Sequence, residues 1–232
     1  MRENTLELFI NGNPQRPIYY TVKKIINAGY TGRNQEEVMK HIEELKEVGV
    51  PAPDKIPTYF PKAAALLTTD NYCEVIDKDS TGEAEYVLLV ADNEIYVAVG
   101  SDHTDRKLEV GNIPKAKQMC PNFISRGVWK FDDIKENWDD LKMRSWIGKD
   151  RAKIYQDTTL DAFMRPEELL KRVKALLGGK LEEGTVIFSG TVGALIEGMP
   201  FSNTFDVELK DEKRNETLSC CYQIKIIDWI KE

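Results

Sequence analysis

Long apolar runs, clustered basic residues and paired cysteines are all missing from this 232-residue chain. No stretch approaches the ~20 apolar residues that a helix needs to cross a bilayer, which excludes a helical membrane protein. With 32 Lys and Arg against 39 Asp and Glu, the net charge of -7 leaves no basic surplus for a phosphate backbone or an anionic membrane. Nucleic acid and lipid are therefore not the expected partners, and small ligands are. The four cysteines, Cys73, Cys120, Cys220 and Cys221, show no Cys-x-x-Cys spacing and are too sparse for a disulfide-stapled secreted domain, so they are expected to be reduced. Met1-Arg2-Glu3-Asn4 leads into a strand-like segment rather than a leader, and the expected location is the cytoplasm. Repeats, heptads and low-complexity tracts are also absent, which removes solenoid and fibrous folds.

What is present suits a soluble globular protein, with 41% hydrophobic and 31% charged residues. The spread of apolar segments predicts one domain, with 1–62 as an N-terminal hairpin, a lid-like helix and a connector, and 63–232 as a β-rich core. Leu6 to Ile10 and Ile18 to Ile26 read as a hairpin across a Gly-Asn-Pro turn. Val38, Ile42 and Leu45 recur with helical period over Gln35 to Val48, with Asn34 as N-cap and Gly49 as stop. Pro51, Pro53, Pro57 and Pro61 impose an extended connector. Strands are predicted at Tyr72 to Ile76, Glu85 to Ala91, Glu94 to Val99, Arg151 to Leu160, Val186 to Phe188, Thr204 to Leu209 and Leu218 to Ile227. Pro166 to Leu177 reads as a helix closed by Gly178-Gly179, while the aromatic, acidic stretch Trp129 to Trp146 is ambiguous. The sum is a β-rich α+β protein with few helices.

Glu83-Ala84-Glu85 stands at the mouth of the apolar run Tyr86 to Val90. Side chains two apart on a strand share a face, so these carboxylates repel one another, and a hard divalent cation such as Mg²⁺ offsets that repulsion most naturally. The same spacing also occurs on solvated strand faces. Asp102, in the polar cluster Ser101 to Arg106 after the next strand, is available as a third oxygen ligand.

Several segments, in order, resemble the fumarylacetoacetate hydrolase-like superfamily. Gly32-Arg33-Asn34 with His41-Ile42-Glu43-Glu44 is similar to its Gly-Arg-Asn-Tyr…His-x-x-Glu entry, and Pro57-Thr58-Tyr59-Phe60-Pro61-Lys62 to its Pro…Phe-x-Lys connector. Glu83-Ala84-Glu85 matches its Glu-x-Glu, and Asp102-His103-Thr104-Asp105-Arg106 resembles its Asp-Val-Ser/Thr-Ala-Arg. Lys117 with Cys120-Pro121 resembles its lysine segment, and Gly184 to Thr191 its Gly-Asp-x-Ile-x-Thr-Gly-Thr. The chain departs from the pattern too: the connection from Glu85 to Asp102 is short, Lys117 follows Asp102 closely, Glu109 stands where many members have Gln, and Val192 replaces Pro. These departures point to a divergent, uncharacterised branch.

The resemblance implies a mixed β-sandwich or roll and a homodimer. It implies Mg²⁺, or Mn²⁺ or Ca²⁺, on Glu83, Glu85 and Asp102, with Lys117 beside the substrate oxyanion. The expected activity is carbon–carbon hydrolysis of a small oxo acid or acylpyruvate-like 1,3-dicarbonyl through an enolate. His41 and Glu44, three apart on a helix, would then form the water-activating dyad, although a surface His in an acidic helix has the same spacing. Arg33 and Arg106 are candidates for a substrate carboxylate, or for structural ion pairs, and Thr191 for substrate contact. His103, next to a ligand and turned away from it, is expected to be packed. An oxo-acid decarboxylase or a hydratase or isomerase is the alternative within enzymes, and a non-catalytic dicarboxylate-binding protein the alternative outside them.

Overall fold

A computed structural model describes residues 3–47, 52–198 and 200–229, with the side chains of Glu37, His41, Glu44, Leu45 and Glu47 outside the described set. Among the described residues a ten-stranded mixed sheet faces a five-stranded one. The larger sheet runs in the order Pro17–Val22, Asn4–Ile10, Gly127–Lys130, Ile95–Asp102, Ala84–Val90, Thr185–Phe188, Lys24–Gly29 and Thr58–Lys62, with Asn122–Ile124 and Leu67–Thr68 alongside. The smaller one runs Lys153–Thr159, Lys142–Ile147, Thr204–Asp211, Glu216–Ile226 and Tyr72–Val75.

Ala84–Val90 is buried at every position, because both faces of the larger sheet are covered. Ala84, Tyr86 and Leu88 point into the core shared with the smaller sheet, where Trp138, Phe205, Leu209 and Tyr222 lie. Val87 and Leu89 point the other way, against Leu8, Tyr20, Val128 and Phe188. The period-two alternation thus sorts one continuous apolar run between two cores. Across the shared core, Tyr86 meets Trp138 edge-on with ring centroids 4.9 Å apart, and Tyr222 stacks on Phe123 at 3.8 Å.

Most elements fall where the sequence predicts them, with three differences. The run from Ile18 to Ile26 is not one strand. It breaks at Lys23, so Pro17–Val22 completes the opening hairpin while Lys24–Gly29 crosses to the far side of the sheet and pairs parallel with Thr185–Phe188. The adjacent Lys23-Lys24 interrupt the alternation of Ile18, Tyr20 and Val22, which marks a break but not the distant partner of the strand that follows. The Pro-rich connector contains a strand, Thr58–Lys62, at the sheet edge, where Pro61 costs no ladder bond. The ambiguous stretch resolves into a helical turn, Phe131–Ile134, a 3₁₀ segment and the strand Lys142–Ile147. The helix Gln35–Glu47 is present with Asn34 accepting from the Glu36 N–H at 3.1 Å, whereas Gly49, its expected stop, lies outside the described residues.

Cys220 is buried and Cys221 exposed on Glu216–Ile226, as alternation requires, and all four cysteines are free. No described helix is long and apolar enough to cross a membrane.

Candidate metal centre and its cavity

The strands Ala84–Val90 and Ile95–Asp102 pair antiparallel, with Glu85 opposite Gly100 and a tight turn between them closed by Ala91 N–H to the Glu94 carbonyl at 3.0 Å. Residues opposite one another share a face, as do residues two apart, so Glu83, Glu85 and Asp102 all project to the same side. The Asp102 N–H donates to the Glu83 carbonyl at 3.2 Å, which pins the strand ends together. One oxygen from each carboxylate lies within 4.8 Å of the others, a set that could hold one cation. Mg²⁺ fits this all-oxygen donor set, which leaves coordination positions for water or ligand.

Each carboxylate is held by a different device. Glu83 accepts from Arg106 Nη1 at 2.8 Å and from Lys117 Nζ at 3.0 Å. Asp102, fully buried, accepts from Lys117 Nζ at 2.7 Å, Asn27 Nδ2 at 2.9 Å and Lys62 Nζ at 3.3 Å. Asn27 in turn accepts from Asn122 at 2.9 Å. Among the described residues Glu85 has no ion-pair partner; its Oε2 accepts the Gly190 N–H at 2.7 Å. Gly190 is left-handed at φ +81, and a Cβ there would sit 2.6 Å from the Thr31 hydroxyl and 2.9 Å from the Ala28 carbonyl. Only glycine satisfies both conditions.

The electrostatics follow. Burial and the neighbouring Asp102 and Glu83 charges push the Glu85 carboxyl well above its usual range. Burial also raises Glu83, but Lys117 and Arg106 outweigh it and hold that carboxyl at about 2. For Lys117 burial favours the neutral amine, yet Asp102 and Glu83 prevail and keep it firmly an ammonium. It is therefore a fixed positive charge and not a proton acceptor.

These groups open onto a cavity of about 180 Å³ whose walls include Glu83, Glu85, Lys117, Gly190 and Thr191. Tyr30 lines it at φ +59, a conformation that is costly for an aromatic residue and tends to occur at functional sites. Of the sequence-predicted residues, Glu83, Glu85, Asp102 and Lys117 come together here. Thr191 lines the cavity, but its hydroxyl is engaged: it accepts from Gln156 at 2.7 Å and donates to the Ala84 carbonyl at 2.9 Å.

The two arginines turn elsewhere. Arg33 donates to the Phe163 carbonyl at 2.6 Å and forms a forked pair with Asp139, with Nη1 at 3.0 Å. Arg106 binds Glu83, Glu109 at 2.8 Å and Thr81 at 2.6 Å, so it braces a carboxylate of the site from behind. His103 is sealed in, with Nδ1 2.9 Å from the Tyr222 hydroxyl and Nε2 3.1 Å from Ser80 Oγ. The side chains of His41 and Glu44 lie outside the described residues. The sequence assigns no role to Asn27, Asn122 or Tyr30, since single polar residues carry no spacing signal, and Lys62 stands out in it only as the lysine of the Phe-x-Lys motif, without a task.

The profile of a family described as "Protein of unknown function (DUF2848)" matches residues 28–222. The chain belongs to the DUF2848 family. No curated protein sequence matches it. Among solved structures, this DUF2848 chain is similar to the apo form of 2-keto-3-deoxy-D-arabinonate dehydratase, with TM-score 0.63 and 14% identity over 89% of this chain and 74% of that one. The same dehydratase complexed with magnesium and 2,5-dioxopentanoate gives TM-score 0.60 and 16% identity over 88% and 73%. The 4-oxalocrotonate decarboxylase of Pseudomonas putida G7, complexed with magnesium and adipate, gives 0.57 and 13% over 87% and 77%. These likenesses establish for DUF2848 the fumarylacetoacetate hydrolase-like fold that its motifs implied.

Proposed function

We propose that this chain is a divalent-metal-dependent enzyme of small oxo acids, from a divergent branch of the fumarylacetoacetate hydrolase-like superfamily. The observation that carries the reading is the convergence of three carboxylates and the Lys117 ammonium, with Glu83, Glu85 and Lys117 on the cavity wall and Asp102 buried directly behind it. A bound Mg²⁺ supplies Lewis acidity toward a substrate carbonyl oxygen. Glu83, Glu85 and Asp102 are its ligands in this reading, with Gly190 orienting Glu85 and Lys62 and Asn27 orienting Asp102. Lys117 holds positive charge beside the wall where an enolate oxygen develops, and it stays charged because two carboxylates flank it. Thr191, tied down by Gln156 and Ala84, shapes the floor.

Two chemistries fit that arrangement. Carbon–carbon hydrolysis of an acylpyruvate needs an activated water, for which His41 and Glu44 on the helix Gln35–Glu47 are the candidate dyad; that helix borders the cavity through Val38. Decarboxylation needs no water-activating base, and dehydration needs a proton acceptor for the carbon beside the oxo group rather than for a water. The second chemistry is favoured by the activities in the names of the fold neighbours.

The test is turnover of acetopyruvate and of 2-keto-3-deoxyarabinonate by chelator-treated protein with and without Mg²⁺, for the native chain, Glu85→Gln and His41→Ala. Mg²⁺-dependent turnover lost in Glu85→Gln supports the reading. Retention in His41→Ala points to dehydratase-type chemistry, and its loss to hydrolysis. A Mg²⁺-dependent rise in melting temperature with oxalate, but no turnover of any oxo acid, would instead indicate a binding protein.

A further inference from the structure

The rest of the cavity wall bears on what lies beyond the reacting carbonyl. Away from the carboxylates, the wall is apolar at Val38, Phe60, Ile113 and Ala162, and polar but uncharged at Tyr30 and Asn34. Lys117 is the one cationic residue among the described residues that line it. Its ammonium is already shared by Glu83 and Asp102. Both arginines with which the sequence could have gripped a distal carboxylate are committed, Arg33 to Asp139 and Arg106 to Glu83 and Glu109.

Glu109, moreover, lines the cavity itself. Arg106 takes its Oε2, and the carboxylate presents negative charge to any anion that enters.

Charge counting agrees. Four carboxylates, Glu83, Glu85, Asp102 and Glu109, stand against three cations, Lys62, Lys117 and Arg106. Fully ionised, the cluster carries one net negative charge, and a divalent cation converts that to one net positive charge. Such a centre complements one carboxylate and no more.

Resting on the oxo-acid reading above, we infer that the site selects a 2-oxo monocarboxylate with an uncharged apolar or hydroxyl-bearing distal part, and that Glu109 rejects 2-oxo dicarboxylates. One carboxylate and the adjacent oxo group face the metal wall, and the tail lies along Val38, Phe60 and Ile113. A second carboxylate would lose water and meet Glu109 without a free cation among the described lining residues to pair with.

Isothermal titration of Mg²⁺-loaded protein with 2-oxopentanoate, 2-oxoglutarate and oxalate tests this, with Mg²⁺-free protein as control. 2-Oxopentanoate and 2-oxoglutarate share the same carbon chain and differ by the distal carboxylate. The expected result is Mg²⁺-dependent binding of 2-oxopentanoate at least ten-fold tighter than of 2-oxoglutarate, with Glu109→Gln narrowing the ratio. Equal or tighter binding of 2-oxoglutarate by the native chain, with Mg²⁺ dependence intact, overturns the selectivity alone. Absence of Mg²⁺-dependent binding for all three probes overturns the oxo-acid reading and the selectivity with it. The native comparison decides the matter even if Glu109→Gln folds poorly.

Discussion

At the scale of single residues, Glu85 is the side chain on which the site turns. It is buried beside two other carboxylates, and the nearby Lys117 charge and the Gly190 N–H offset this only in part, so the folded chain holds its proton above the usual carboxylate range. A raised acid pKa means that, without metal, this residue's contribution to stability falls as pH rises above about 4.5, because the unfolded chain then releases a proton that the folded chain retains. A divalent cation reverses the sign by favouring the ionised form. The rise in melting temperature produced by Mg²⁺ is therefore expected to be larger at pH 8 than at pH 5.5, as scanning fluorimetry in matched buffers would read. Glu85→Gln keeps the acceptor for Gly190 and removes the charge. It should melt higher than the native chain without metal and show no Mg²⁺ response. Gly190→Ala is expected to do the opposite: left-handed backbone and the approach to Thr31 and Ala28 together cost about 2 kcal/mol or more, and the Glu85 anchor moves with them. Chemical denaturation with and without Mg²⁺ would show both losses.

Between elements, the clearest coupling runs through His103. From the end of Ile95–Asp102 its ring reaches Tyr222 on Glu216–Ile226 and Ser80 on the strand Ser80–Thr81, so one imidazole joins the two sheets. Burial, with Arg106 and Lys62 nearby, lowers its pKa from 6.5 to about 3. The stability this neutral ring contributes is complete above pH 6.5 and is lost as pH falls toward 3, by an amount on the order of a few kcal/mol in all. Glu83, held at about 2, adds its own loss only below about 4.5. Between pH 6.5 and 4.5 the fall in unfolding free energy should thus be flattened in His103→Asn, and an unchanged slope would remove the ring from this role. Elements of this kind also mark the limit of what the sequence discloses. Glu83, Glu85, Asp102 and Lys117 were legible because motif order and strand alternation both point at them. Asn27 and Asn122 were not, and Lys62 only as a motif lysine without a task, because these residues support Asp102 from strands distant in sequence, and long-range partnership leaves no local period. The crossing of Lys24–Gly29 escaped for the same reason: its partner, Thr185–Phe188, lies far along the chain. For the arginines the sequence leaves both roles open, since an Arg that braces Glu83 and an Arg that grips substrate have the same sequence signature.

For the molecule as a whole, one core contains residues of both sheets, Tyr86, Leu88 and Val97 from the larger and Phe205, Leu209 and Tyr222 from the smaller. Neither sheet can separate without exposing the other, so calorimetry should record a single unfolding transition that Mg²⁺ shifts as a unit. Two transitions, with only one responding to metal, would mean that the sheets are independent. The tight turn at Asp92-Asn93 has a further consequence. Because Ala84–Val90 leads almost directly into Ile95–Asp102, all three carboxylates fall within one uninterrupted stretch of twenty positions, 83 to 102. The tail-facing wall, by contrast, is gathered from 28–34, 38, 60, 109–113, 162 and 190–193. The cation holder is thus a local cassette, and the wall that reads the rest of the ligand is a mosaic. Substitution in the mosaic can exchange one ligand for another while the cassette stays as it is, which makes this hairpin the natural unit to transplant and the surrounding loops the natural place to vary.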